Sequence, residues 1–160
     1  MEYRIKEASF ALLHNGKSIL EISEESPCLF IGQGEESVEM YRGNFKISDY
    51  LIKRCPLALT KVTEAGAGVI LLDFEETIRM RVELTEEMCQ LRFEALKAAG
   101  NRFWLRLRSD AREAFYGCGE QMSYFNLKGR NFPLWTSEPG VGRDKSTYIT
   151  WMRVSLIQVI

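Results

Sequence analysis

Apolar and charged side chains alternate without a break through Thr77-Ile78-Arg79-Met80-Arg81-Val82-Glu83-Leu84. Successive side chains of a β-strand point to opposite faces of the sheet, so this two-residue period predicts a strand with one buried and one solvated face. The predicted buried face holds Ile78, Met80, Val82 and Leu84. A single covered face is typical of antiparallel sheets, and the segment therefore indicates an all-β architecture.

Further short strands are predicted on both sides of this one. Phe10 to Leu13 and Ser18 to Ile22 surround an Asn15-Gly16 dipeptide, which is a strong signal for a two-residue hairpin turn. Val69 to Leu72 is a short apolar run that follows a glycine-rich turn. Arg102 to Arg108 alternates again, with Phe103, Leu105 and Leu107 predicted inward and Arg102, Trp104, Arg106 and Arg108 outward. Many short strands separated by turns predict a single antiparallel β-sandwich domain.

The segment from Thr85 to Ala99 admits two interpretations. It is rich in strong helix formers, Thr85 is a candidate N-cap and Gly100 is a candidate stop signal, all of which favour a helix. Its apolar residues also alternate, and a helical stripe would leave Phe93 on the wrong face. The residues alone leave the choice between helix and strand open.

Composition narrows the class of protein. The chain has 160 residues, of which 46% are hydrophobic and 27% charged, with a net charge of −1. This balance gives no reason to expect a nucleic acid or an anionic membrane as a partner. No apolar run is long enough to cross a bilayer, and the start lacks the apolar core of a secretory signal. Four widely spaced cysteines are expected to be reduced thiols in the cytoplasm: Cys28, Cys55, Cys89 and Cys118.

Several residues of types that can catalyse reactions or bind ligands are better explained by structural roles. His14 is the only histidine and lies beside the predicted hairpin turn, so we expect neither a metal nor another cofactor. Cys118 has no histidine or evident cation near it in sequence and is expected to be an inert thiol. Gly32-Gln33-Gly34 lacks the third glycine of a phosphate loop and predicts a bulge or turn. The arginine-rich strand is expected to be a solvated face, or a face covered by another domain, rather than a nucleic-acid surface.

One loop has the composition of a binding site. Tyr116-Gly117-Cys118-Gly119-Glu120-Gln121 is followed by the basic turn Lys128-Gly129-Arg130 and by Pro133-Leu134-Trp135-Thr136-Ser137-Glu138. Glycines allow close approach of the backbone to a ligand, and a few polar groups beside an aromatic face are typical of ligand pockets. Glu120 and Glu138 could by spacing alone form the carboxylate pair that glycoside hydrolysis requires.

The same residues carry a resemblance. Tyr-Gly-x-Gly-Glu, a Leu-x-Gly turn and the Leu134-Trp135 pair resemble the N-terminal domain of family 31 glycoside hydrolases, the α-glucosidase family. Gly140 to Arg143 and Thr147 to Trp151 extend the similarity, which is closest to the sulfoquinovosidase branch, and Met40 to Phe45 also matches. The resemblance implies a galactose-mutarotase-like β-sandwich over residues 1–151, with a strand from Gln90 to Leu96.

The resemblance also implies a function without catalytic residues. Family members carry both catalytic aspartates in a (β/α)₈ barrel that follows this domain, and nothing in the chain resembles that barrel. The family loop that reaches the barrel mouth corresponds to Trp135 through Arg143. Glu138 is then expected to accept hydrogen bonds from an α-glycoside and Arg143 to supply positive charge, whereas Glu120 and Gln121 contact the ligand or brace the loop.

Three functional hypotheses therefore remain open. The chain is a non-catalytic or truncated part of a retaining α-glycosidase, a stand-alone module that binds carbohydrate or protein, or an independent enzyme that uses Glu120 and Glu138. Residues 152–160 depart from the family and are either a last strand or the end of a truncated or frame-shifted gene. If strands of the sandwich are missing, the unpaired edge and the apolar tail are expected to favour a homodimer.

Overall fold

The computed structural model describes residues 1–41, 44–86, 88–116 and 125–129. Ten β-strands account for most of this part of the chain, and no helix occurs in it. The strands are β1 Glu2–Lys6, β2 Ser9–His14, β3 Lys17–Ile22, β4 Leu29–Tyr41, β5 Asn44–Leu57, β6 Leu59–Gly66, β7 Val69–Phe74, β8 Ile78–Leu84, β9 Cys89–Ala95 and β10 Arg102–Leu105.

The strands form three antiparallel sheets. The first has the order β1-β2-β3, the second β10-β4-β5 and the third β6-β7-β8-β9. Most neighbours in a sheet are consecutive in the chain, and the exception is β10, which returns to pair with the start of β4 over Leu29 to Gly32. The rest of β4 and all of β5 form a long hairpin, whose register shifts between Gln33 and Gly34.

All three sheets contribute to one hydrophobic core. Phe10 and Leu20 come from the first sheet, Leu29 from the second, and Phe74 and Met80 from the third, and each is at most 1% exposed. The alternation in sequence explains this arrangement, because every second residue of these strands is apolar and faces the other sheets. Burial of this apolar surface is the main force that holds the sheets together.

The strands predicted from sequence are largely confirmed. Ile78, Met80 and Val82 of β8 are 6%, 0% and 0% exposed, as the alternation predicts. The hairpin turn between β2 and β3 has positive φ at both Asn15 (50°) and Gly16 (76°). The open choice at Thr85 to Ala99 is resolved in favour of the strand, since Cys89–Ala95 pairs with β8 along its whole length. The bulge or turn predicted at Gly32-Gln33-Gly34 coincides with a register shift between β4 and β5, in which the extra residue, Ile52, belongs to β5.

The prediction for Arg102 to Arg108 was wrong in two respects. The strand ends at Leu105, because beyond it the chain leaves the sheet: the N–H of Arg106 donates to the Cys28 carbonyl (2.7 Å) and the N–H of Arg108 to the Ile19 carbonyl (2.9 Å). Trp104 lies on the outer face of the strand as predicted, but it is only 9% exposed and therefore not solvated. Its indole ring covers Gly32 of the neighbouring strand, a contact that the one-dimensional pattern does not contain.

Two further predictions concern membranes and the chain terminus. Within the described ranges no helix has the length and apolar character needed to span a bilayer. The tail that the sequence assigned to residues 152–160 lies outside the described part of the chain, so its strand or truncated character stays a prediction.

Candidate functional site

The residues predicted to contact a ligand lie outside the part of the chain that the structure describes. These residues are Glu120, Gln121, Trp135, Glu138 and Arg143, and Cys118 lies outside it as well. Their roles therefore remain predictions. The structure does describe the two segments that lead into and out of residues 117–124, namely 110–116 and 125–129.

These two segments are joined directly at the base of the predicted loop. The N–H of Leu127 donates to the Phe115 carbonyl over 2.8 Å. The side-chain oxygen of Asn126 accepts from the N–H groups of both Phe115 and Lys128, each at 3.1 Å. The rings of Tyr116 and Phe125 are 4.8 Å apart at an interplanar angle of 54°. Tyr116 and Phe125, the described residues on either side of residues 117–124, therefore lie next to each other.

A second set of contacts fixes the base to its surroundings. The Lys128 ammonium group donates to the Asp110 carbonyl. The N–H of Asp110 donates to Oε2 of Glu113 (2.9 Å), and Oδ1 of Asp110 accepts from the N–H of Arg112 (2.8 Å). That last bond, together with nearby lysines, holds the pKa of Asp110 below its ordinary value. The Asp110 turn is therefore built around an ionised carboxylate at neutral pH.

The base presents aromatic surface. Tyr116 is 62% exposed and Phe125 86%, although the adjacent Leu127 is only 8% exposed. Exposed aromatic pairs beside a glycine-rich segment offer apolar area to a ligand or to another domain. The sequence analysis missed Phe125 and Asn126 as members of this region. The signal for Asn126 is the local one, since an asparagine that accepts from the N–H two residues later forms an Asx-turn.

A separate cleft of about 390 Å³ lies between the end of β9 and the start of β10. Phe93 and Phe103 meet there edge to face, with ring centroids 5.0 Å apart. Asn101 closes one side, because its side-chain amide exchanges hydrogen bonds of 2.9 Å with both the N–H and the carbonyl of Gly34. The sequence analysis did not anticipate this cleft, and its described lining includes none of the predicted ligand-binding residues.

Among residues 1–41, 44–86, 88–116 and 125–129, no group of three histidine, cysteine, aspartate or glutamate side chains is arranged to hold a metal ion. His14 lies at the exposed hairpin turn, where its Nε2 is 3.3 Å from the side-chain nitrogen of Asn15.

Residues 3–150 match the family model of the glycosyl hydrolase 31 N-terminal galactose mutarotase-like domain. The chain belongs to this family. It is 42% identical over 151 residues to a sulfoquinovosidase of Agrobacterium fabrum and 40% identical over 148 residues to a sulfoquinovosidase of Escherichia coli. These matches cover 94% and 89% of the chain, but in each case only 22% of the relative.

A solved structure shows the same relationship in three dimensions. A family 31 sulfoquinovosidase from E. rectale, in complex with the aza-sugar inhibitor IFGSQ, superposes with a TM-score of 0.84 at 51% sequence identity. The match covers 93% of the chain and 22% of that protein. The all-β galactose-mutarotase-like fold that the motifs implied is therefore confirmed, and the chain spans about a fifth of the length of these family 31 relatives.

Proposed function

We propose that this chain is a non-catalytic N-terminal domain, or a truncated form, of a retaining α-glycosidase of the sulfoquinovosidase type. The observation that carries the proposal is the combination of 42% identity over 94% of the chain with coverage of only 22% of the relative. Retaining hydrolysis needs two carboxyl groups about 5–5.5 Å apart on either side of the scissile bond. In this proposal both belong to the part of the enzyme that the chain does not span.

The domain then acts as a support and as one wall of the substrate pocket. Residues 135–143 reach the mouth of the catalytic domain, where Trp135 lines the pocket and Glu138 accepts hydrogen bonds from an α-glycoside. Arg143 supplies a positive charge with a planar set of donors. Glu120 and Gln121 contact the ligand or brace this loop. The hydrogen bonds at Phe115 and Asn126 join the two ends of the segment that carries Glu120 and Gln121, and a segment with fixed ends is suited to this bracing role.

An assay of the purified chain tests the non-catalytic role. Aryl α-glucosides and aryl α-sulfoquinovosides should show no hydrolysis above a buffer blank. Glu120→Gln and Glu138→Gln serve as matched controls for a contaminating glycosidase. Turnover that follows the protein through purification and is lost in either variant would overturn the proposal and favour an independent enzyme.

Self-association is a second part of the proposal. Beyond Gly32, the described part of β4 pairs only with β5, and the hairpin exposes Met40 (68%), Tyr50 (64%) and Val38 (50%). Unpaired backbone with apolar side chains favours pairing with a second copy. Light scattering should show a homodimer or larger species, and deletion of residues 154–160 should change the measured molar mass of that species. A monomer in both proteins would remove this part of the proposal.

We also place the protein in the cytoplasm. Cys28, Cys55 and Cys89 are free thiols, which favours a reducing compartment. Cys28 is 1% exposed, and its burial raises the pKa of the thiol to about 12. It is therefore protected from reaction in the folded state.

A further inference from the structure

The sheet formed by β10, β4 and β5 carries a second aromatic cluster on its outer face. Leu29 faces the hydrophobic core at 0% exposure, and the alternation of the strand places the next residue, Phe30, on the opposite side. Phe30 is nevertheless only 8% exposed, and Trp104, directly opposite it on β10, is 9% exposed. Something other than the core covers these two rings.

Two guanidinium groups supply that cover. The central carbon of Arg54 lies 4.4 Å from the centroid of the Phe30 ring and 4.9 Å from that of the Trp104 ring. The central carbon of Arg106 lies 4.8 Å from the same Phe30 ring. A guanidinium group at this distance is attracted by an aromatic ring and carries five N–H donors. The rings therefore help to hold both groups in place, and their N–H donors have no described acceptor.

These two arginines differ from most others in the described ranges. Arginines that pair with a carboxylate there are Arg79, Arg81, Arg92, Arg102, Arg108 and Arg112. Two acidic residues paired across β4 and β5 on this face, Asp49 and Glu36, act on Arg102 instead, and Asp49 accepts from it at 2.6 Å. Neither Arg54 nor Arg106 has a described residue as hydrogen-bond acceptor or ion-pair partner.

The positive charge of Arg106 acts on Arg54, so the two guanidinium groups repel each other. Partial burial and the neighbouring charge of Arg106 both hold the pKa of Arg54 below its ordinary value. Two like charges beside a low-dielectric aromatic surface repel each other, and an oxyanion that accepts N–H bonds from either or both would offset that repulsion.

We propose that Arg54 and Arg106, fixed against Phe30 and Trp104, form an oxyanion-binding site on the outer face of this sheet. Its ligand is a carboxylate, sulfate or phosphate group, whose oxygen atoms accept hydrogen bonds from the N–H groups of the two arginines. The oxyanion is either a free small anion or a carboxylate on a protein side chain. The site lies on the face opposite the core and does not depend on the glycosidase assignment.

Nuclear magnetic resonance of the side-chain Nε–Hε groups tests this site in the purified chain. The protein is titrated with sodium sulfate and, separately, with sodium acetate, at an ionic strength kept constant with sodium chloride. The Arg54 and Arg106 signals should shift and saturate together. Saturation by sulfate alone identifies a site for a free tetrahedral dianion, whereas saturation by acetate as well identifies one that also accepts a protein carboxylate.

Variants separate a site from general ion effects. Arg54→Gln and Arg106→Gln should each weaken binding by about tenfold or more at the remaining arginine, because one set of charge-assisted hydrogen bonds is lost. Arg54→Lys keeps the charge but not the planar donors and should weaken binding less. Arg92→Gln, at an exposed arginine on β9, is the matched control and should leave binding unchanged. Shifts that do not saturate, or that persist equally in the Arg54 and Arg106 variants, would overturn the proposal.

Discussion

The indole ring of Trp104 lies directly against the α-carbon of Gly32 on the neighbouring strand. A Cβ atom at Gly32 would lie 2.7 Å from the ring carbons Cη2 and Cζ3 of Trp104 and would also meet the Lys53 carbonyl. Side-chain carbons do not approach other heavy atoms this closely without displacement. The missing side chain at Gly32 therefore makes room for the tryptophan on the outer face of the sheet.

Gly32→Ala should lower the free energy of unfolding by about 1–3 kcal/mol, the usual cost of forcing an extra carbon into a packed position. Urea unfolding followed by tryptophan fluorescence and circular dichroism measures this loss. The same substitution should cost less when Trp104 is replaced by Phe, which lacks the clashing ring carbons. Gln33→Ala, at the exposed neighbouring residue, should change stability by no more than about 0.5 kcal/mol. A Gly32→Ala protein as stable as the wild type would contradict the packing described.

Asn126→Ala should open the base of the predicted binding loop. The substitution leaves the N–H groups of Phe115 and Lys128 without their common acceptor, and stability should fall by about 0.5–1.5 kcal/mol for each of these exposed hydrogen bonds. Hydrogen exchange should become faster at these two amides, whereas exchange at Ile70 in the core should change little. Asn126→Asp keeps an acceptor oxygen and should retain most of the protection. Equal exchange in all three proteins would show that the side chain does not close the base.

Acid stability should depend on the Asp73–Arg79 ion pair. Arg79 donates to both carboxylate oxygens of Asp73, at 2.6 and 3.0 Å, and these bonds hold the pKa of Asp73 below its ordinary value of 3.8. A carboxyl group with a lower pKa in the folded state stabilises the protein fully above its unfolded-state pKa. That contribution is lost as pH falls below 3.8 and through the folded-state value.

Asp73→Asn removes this contribution at every pH. Its free energy of unfolding should therefore fall less steeply than that of the wild type below pH 3.8, and the two curves should converge in stronger acid. Arg79→Gln removes the donors instead and should flatten the same part of the curve. Parallel curves for wild type and both variants would exclude the pair as a source of acid sensitivity.

Features that depend on residues close together in the chain could be predicted from sequence, whereas features that depend on residues far apart in the chain could not. The alternation in β8 and the Asn15-Gly16 turn each involve neighbouring residues, and the strand and the turn both occur where predicted. The burial of Trp104 depends on a glycine more than seventy positions earlier in the chain, and no period in the sequence contains that contact. The helix propensity of Cys89–Ala95 also fails to predict its structure, because pairing with β8 outweighs the local preference of these residues for a helix.

The candidate site shows the same division. Its glycine-rich motif identified the family, which the match of residues 3–150 to the family model confirms. The hydrogen bond that closes its base joins the N–H of Phe115 to the side-chain oxygen of Asn126 across eleven positions, and no local sequence pattern pairs residues so far apart. The ligand roles of Glu138 and Arg143 came from the resemblance and stay predictions.

Those roles can be tested in a full-length enzyme in which residues 3–150 replace the matching domain of the E. coli relative. Glu138→Ala and Arg143→Ala should each lower kcat/KM by about tenfold to a hundredfold, the range for charged groups that bind substrate. The melting temperature should change little, as is usual for exposed loop substitutions. Ser137→Ala is the neighbouring control and should be close to the parent in both measurements. Parent-like kinetics in both charge variants would limit the loop to a structural role.

The most direct test of the account is the turnover of an aryl α-sulfoquinovoside by that domain-exchange enzyme, compared with the isolated chain and with the E. coli relative lacking its N-terminal domain. We predict activity in the exchanged enzyme and none in either part alone, because in the proposed function the chain supports a catalytic domain that lies elsewhere in the enzyme. Circular dichroism must first show that the exchanged enzyme is folded. A folded exchange without activity, or hydrolysis by the isolated chain, would contradict a supporting role for this domain.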